Sequence, residues 1–137
     1  MNRRSLREYI FKLLFRIEFN SKEEMEEQCR LFFEHEDGEI SQEEEDQIVD
    51  KFAAVHERIE EIDASINEKA KGWSTGRMGK VDLTIIRLAV YEMKYDEDIP
   101  EGVAINEAVE LAKKFGQEES AGFVNGVLAK FVESKKE

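Results

Sequence analysis

The chain has 137 residues, 41% hydrophobic and 38% charged, with one proline, eight glycines and a single cysteine. That length suits one domain with one or two small cores, the scarcity of turn residues argues against a many-stranded sheet, and the lone Cys29 excludes an internal disulfide or a cysteine zinc cluster. A net charge of −12 disfavours nucleic acid on average, yet residues 1–16 hold Arg3, Arg4, Arg7, Lys12 and Arg16 against Glu8, a net +4, and the other 121 residues carry −16.

Between Arg3 and Phe19, Leu6, Ile10, Leu13, Leu14 and Ile17 recur at the spacing of one helical face. Lys12 and Arg16 interrupt the apolar run, so this segment does not read as a secretory signal and a cytoplasmic protein is expected. No stretch approaches the roughly 20 apolar residues of a membrane span. Asn20-Ser21 ends the first helix, and Ser21 with Glu24 forms a capping box for a second helix reaching about Glu36. Met25, Cys29, Phe32 and Phe33 are its inward residues, and Asp37-Gly38 marks a turn. Ser41 with Glu44 repeats the capping box. A long helix follows as far as Gly72, with Ile48, Phe52, Val55, Ile59, Ile62 and Ile66 inward. The acids Glu43 to Asp46 suit its N-terminus and lack the alternation around a glycine that a calcium loop requires.

A glycine-punctuated connection, GWSTGRMGK, leads into VDLTIIRLAVYEMKY, whose apolar residues cover most of a helical circumference and predict a central helix. Fifteen residues are too many for a typical strand. Pro100 opens the next helix, in which Ala104, Ala108, Leu111, Ala112 and Phe115 form one face and Gly116 supplies the stop. A final helix over Glu118 to Lys135 points Phe123, Val124, Val127, Leu128 and Phe131 inward. Gly126 inside it costs roughly 1 kcal/mol against alanine, which predicts a closely packed neighbour. The expected architecture is all-α, six helices in a single domain over 1–137.

No nucleophile elbow, phosphate loop, dinucleotide fingerprint or zinc-protease motif is present. His35 and His56 lie among glutamates and read as surface residues rather than catalytic bases. With 32 acids in the chain, close carboxylate pairs carry little information. No catalytic residue, metal or cofactor is expected. The first helix is the exception to this blandness. Arg3/Arg7 and Lys12/Arg16 are i,i+4 pairs, and Arg3 and Arg7 fall toward the apolar side, so the first turn should project past the core. There it can meet phosphates or unpaired bases, or be an ordinary solvated turn; composition leaves both open. Trp73, with Arg77 and Lys80 in the glycine-rich connection, reads more readily as a lid on a core than as a base-stacking residue.

AINEAVELAKKFG at 104–116 and FVNGVLAK at 123–130 closely resemble the C-terminal signature of the NusB transcription antitermination family. The resemblance extends through DLTIIRLAVYEM at 82–93, Trp73 and Arg77, and more loosely through RRSLREYIFKLLF at the N-terminus. It implies two packed three-helix bundles and a non-enzymatic role: binding boxA-type single-stranded RNA together with the ribosomal protein NusE, in an antitermination complex on RNA polymerase that supports ribosomal RNA synthesis. It further implies RNA contacts from Arg3, Arg4 and Arg7, joined by Lys12, Arg16 and Lys80 as nearby cations, and from Gln117, Glu119 and Phe123 before the last helix. Asp82, at the start of the central helix, is the implied NusE contact. No DNA or membrane partner is expected. The chain departs from the family's pattern at Leu6, Ile10 and the Lys12-Leu-Leu-Phe run, and at Gly122, where a basic residue is usual. With Glu119 negative, phosphate attraction is reduced and a basic partner is needed to complete the RNA surface.

A helical scaffold that binds basic proteins without recognising RNA is the alternative. A similar domain precedes some RNA cytosine methyltransferases, but no cofactor-binding βαβ unit is present, so catalysis is not expected.

Overall fold

A computed structural model describes residues 1–35 and 40–135. Among them lie seven α-helices: α1 (Arg3–Phe15), α2 (Met25–His35), α3 (Gln42–Glu57), α4 (Ile59–Lys69), α5 (Lys80–Tyr95), α6 (Glu101–Phe115) and α7 (Ser120–Lys135). Short 3₁₀ turns occupy Arg16–Glu18 and Thr75–Arg77, and the described residues contain no strand. The expected turn at Asp37-Gly38 falls outside the described residues. The helix predicted to run unbroken to Gly72 divides at Arg58, which has left helical geometry at φ −102° and ψ 13°. No glycine or proline marks the break. The six-helix description therefore becomes seven. The chain separates into two compact units, Met1–His56 and Glu57–Glu137.

In the first unit, Asn2 caps α1 by accepting the Ser5 N–H at 2.8 Å. Ile10, Phe11, Leu13 and Leu14 are buried, as their spacing requires. Tyr9 meets Phe32 edge to face at 6.2 Å, joining α1 to α2. Both capping boxes form. The Ser21 N–H donates to Glu24 Oε1 at 2.6 Å while the Glu24 N–H donates to Ser21 Oγ at 3.3 Å. At the start of α3, the Ser41 N–H donates to Glu44 Oε1 at 3.0 Å, and the Glu44 N–H donates to Ser41 Oγ at 3.1 Å.

The second unit is organised around α5, which packs against α4, α6 and α7. Ile85, Ile86, Leu88 and Val90 are 1% exposed or less, and each such burial contributes about 1.5–3 kcal/mol. Ile62 and Ile66 of α4 and Val124 and Leu128 of α7 are fully buried. Arg87 grips Asp63 through two parallel bonds of 2.8 and 2.7 Å, a fork geometry that only arginine supplies, and so pins α5 to α4. Pro100 stands at the N-cap of α6 and Gly116 at its C-cap. The close neighbour expected at Gly126 is not found among the described residues: beyond its own helix turn, none of their atoms lies within 4 Å of a Cβ built there.

Candidate RNA and partner interface

Two groups of residues carry the functional expectations, one in each unit. In the first, Arg3 and Arg4 are exposed on the opening turn of α1, held by the Asn2 cap. Arg7, expected to project with them, is instead buried at 8% exposure. Its position on the apolar side of the helix draws it inward, and its guanidinium is not presented to solvent. Lys12 is exposed, with its ammonium 5.5 Å from the centre of the Tyr9 ring. Arg16 has left the α-helix for the 3₁₀ turn. Its Nη1 donates to Gln28 Oε1 at 2.8 Å and its guanidinium covers the Phe32 ring at 5.1 Å. Arg16 thus ties α1 to α2, and the exposed part of the cluster reduces to Arg3, Arg4 and Lys12.

The second group assembles in the unit Glu57–Glu137 around a cleft of about 600 Å³. Trp73, Met78, Gly79 and Asp82 form one side, and the α6–α7 turn with Gln117, Glu118, Glu119, Ser120, Gly122 and Phe123 forms the other. The structure therefore brings together four sequence-nominated residues, Asp82, Gln117, Glu119 and Phe123. Lys80 is exposed at the first position of α5 and is not one of the lining residues.

Local chemistry explains how each wall is held. Gly72 turns the chain at φ +90°, a conformation that L side chains rarely adopt, and so delivers Trp73 to the cleft. The Trp73 N–H bonds the Ala70 carbonyl at 2.8 Å, and Asn67 Oδ1 accepts the Thr75 N–H at 2.8 Å. On the other wall, the Gln117 N–H donates to Ser120 Oγ at 2.9 Å, and Ser120 is 4% exposed. That bond fixes Gln117 through Glu119 at the mouth. Trp73 and Phe123 meet edge to face at 5.3 Å and 71°, a favoured aromatic geometry. Trp73 keeps 48% exposure, so it is a wall of an open cleft rather than the expected lid on a core. The aromatic pair itself is a feature that sequence reading missed: Trp73 and Phe123 lie fifty positions apart, and only the turn geometry unites them.

Cys29 is half-buried, and desolvation pushes its thiol above the ordinary range, which leaves it a poor nucleophile. His56 is partly buried against Phe52 at 5.3 Å. Among the described residues no cluster of three or more metal-ligating side chains occurs, and no helix is long and apolar enough to cross a membrane.

Comparison with known proteins places this arrangement. The transcription antitermination protein NusB of Agathobacter rectalis is 56% identical over 131 residues, covering 96% of this chain and 99% of that protein. A crystal form of T. maritima NusB superposes with a TM-score of 0.82 at 34% identity, over 95% of this chain and 89% of the other. A crystal structure of the antitermination factors NusB and NusE in complex with dsRNA contains a chain that matches with a TM-score of 0.83 at 25% identity, over 96% of both chains. The NusB family model matches residues 4–133, a span that runs through both units and takes in every candidate residue but Arg3, and the chain belongs to the NusB family.

Proposed function

We propose that this chain is a cytoplasmic, non-enzymatic transcription antitermination factor. It binds boxA-type single-stranded RNA together with NusE, within a complex on RNA polymerase that supports ribosomal RNA synthesis. Family membership across residues 4–133 carries the reading, and the solved relative, NusB and NusE in complex with dsRNA, supports RNA and NusE as partners. The same span supports treating both units as one functional domain. Arg3 and Arg4 supply the RNA contact, because they are the exposed guanidiniums of the basic segment. Lys12 adds a flanking charge. Gln117 and Phe123 offer a polar and a stacking contact at the edge of the cleft, where Glu118 and Glu119 oppose phosphate.

Replacing Arg3 and Arg4 by alanine tests the assignment. Each lost single-strand phosphate contact reduces the slope of log K against log salt by about 0.7. The expected outcome for the pair is a slope flatter by about 1.4 and weaker boxA binding in the presence of NusE. An unchanged slope would sink the site.

The inward positions of Arg7 and Arg16 favour a second reading, a protein-binding scaffold in which RNA contact is incidental. Titration with RNA alone, NusE alone and both together separates the two. A gain in RNA affinity when NusE is present supports the adaptor, and no gain supports the scaffold.

A further inference from the structure

The opening of α1 runs against its own dipole. A helix N-terminus favours negative charge and is disfavoured by positive charge, yet the first turn of α1 holds no acid and begins with Arg3 and Arg4. Helix ends also open easily unless something holds them. The Asn2 side chain accepts one backbone donor, the Ser5 N–H, at 2.8 Å, but it brings no charge. By its own sequence this turn is a loosely held end, and it carries the exposed arginines assigned to RNA.

The missing anion comes from another helix. Glu44 Oε2 lies 3.0 Å from the Met1 ammonium, while Glu44 Oε1 accepts the Ser41 N–H at the start of α3. One carboxylate thus closes the capping box of α3 and ties down the residue that precedes the Asn2 cap of α1. Both helices belong to the unit Met1–His56. The Glu44 side chain is 21% exposed, so the pair is screened less than an ion pair in open water. Ile48, one turn further along α3 on the same face, is fully buried, which turns Glu44 toward the inner side of that helix. Glu24 is the internal comparison. It forms the same box with Ser21, but it is exposed. The two boxes share one sequence pattern, and the fold gives Glu44 a second role.

We propose that Glu44 is the positioning residue of the RNA-binding turn. Its carboxylate holds the Met1 ammonium, which keeps the Asn2 cap and the first turn of α1 formed, and so keeps Arg3 and Arg4 in one arrangement before RNA arrives. Such preorganisation raises affinity by removing an ordering cost from the binding step. This role rests on Arg3 and Arg4 being the RNA contact. Its sign differs from that of plain electrostatics: deleting a carboxylate near a phosphate site should strengthen RNA binding, whereas deleting a positioning residue weakens it.

Glu44→Gln keeps an acceptor for the Ser41 N–H and removes the charge that faces the ammonium. Two measurements are made on the full chain at about 0.15 M salt, where charges more than about 8 Å apart are largely screened. Amide hydrogen exchange at Ser5, taken relative to the amide of Leu13 in the buried part of the same helix, is expected to speed up about threefold. Affinity for boxA RNA in the presence of NusE is expected to fall about threefold, and that loss should vanish when Arg3 and Arg4 are already alanine. Glu24→Gln makes the same substitution in the other box and should change either quantity by less than about 1.5-fold. Unchanged Ser5 exchange, RNA binding that is unchanged or tighter, or an equal effect from Glu24→Gln would overturn the proposal. Exchange is read without RNA and the Arg3 and Arg4 salt slope without Glu44→Gln, so failure of the tie and failure of the RNA reading are distinguishable.

Discussion

A Cβ added at Gly116 would lie 2.6 Å from both Cβ and Oγ of Ser120 and 2.8 Å from the Ala112 carbonyl oxygen. Ser120 Oγ can rotate, but Ser120 Cβ and the Ala112 carbonyl are fixed to the backbone, so backbone must move. Gly116→Ala is expected to cost about 1–3 kcal/mol, read from urea unfolding, and to loosen the turn that carries Gln117 and Glu119. Gly126 makes the opposite case. It is exposed within α7, and no neighbouring element among the described residues comes within 4 Å of a Cβ built there, so Gly126→Ala should stabilise by roughly 1 kcal/mol through helix propensity alone. A loss of stability at 126 would show that helix propensity does not govern this position. Sequence identified Gly116 as a helix stop, but not as a contact with Ser120. It also suggested a tight neighbour at Gly126 that the fold does not provide, because propensity states what a glycine costs and not what surrounds it.

At the scale of elements, the two serine-glutamate boxes were legible in full, since every group in them lies within three residues. Their carboxylates respond to pH. Glu24 and Glu44 are held below the ordinary carboxylate value of 4.5, chiefly by the backbone N–H of Ser21 and of Ser41, with the N-terminal ammonium adding to Glu44 at 3.0 Å. A folded value below the unfolded one gives stability that is complete above pH 4.5 and is lost as pH falls through the folded value. The melting temperature should therefore drop as the solution is acidified below about pH 4.5. Glu24→Gln with Glu44→Gln should flatten part of that fall, because an amide accepts the same N–H at every pH. A pH profile identical to that of the unmodified chain would remove the boxes from the acid response. The division between α3 and α4 was not legible. Ile48 to Ile66 keep helical spacing straight through it, and Arg58, at the break, places its guanidinium 4.3 Å over the Tyr95 ring. That contact spans 37 positions and leaves no local signal.

For the molecule as a whole, the charge of −12 opposes compaction through self-repulsion, which salt screens within about 10 Å at 0.1 M. Raising sodium chloride from about 0.05 to about 0.5 M should therefore raise the melting temperature. A fall would mean that attractive pairs such as Asp63–Arg87 outweigh the repulsion. Helical class, both capping boxes and the family likeness were determined by the sequence alone. Periodicity, caps and stop signals are short-range properties, and the C-terminal signature lies within one contiguous run. Tertiary structure alone decided which cations remain available and where the acids gather. The docking of Arg16 on Gln28 and Phe32 depends on residues of another helix, and the meeting of Trp73 with Phe123 in one cleft with three carboxylates joins residues fifty positions apart. The basic first helix survives as an exposed pair, Arg3 and Arg4, with Lys12 beside it. The acidic remainder is organised rather than diffuse, because the folding of α5 against α6 and α7 concentrates three of its charges on one aromatic cleft.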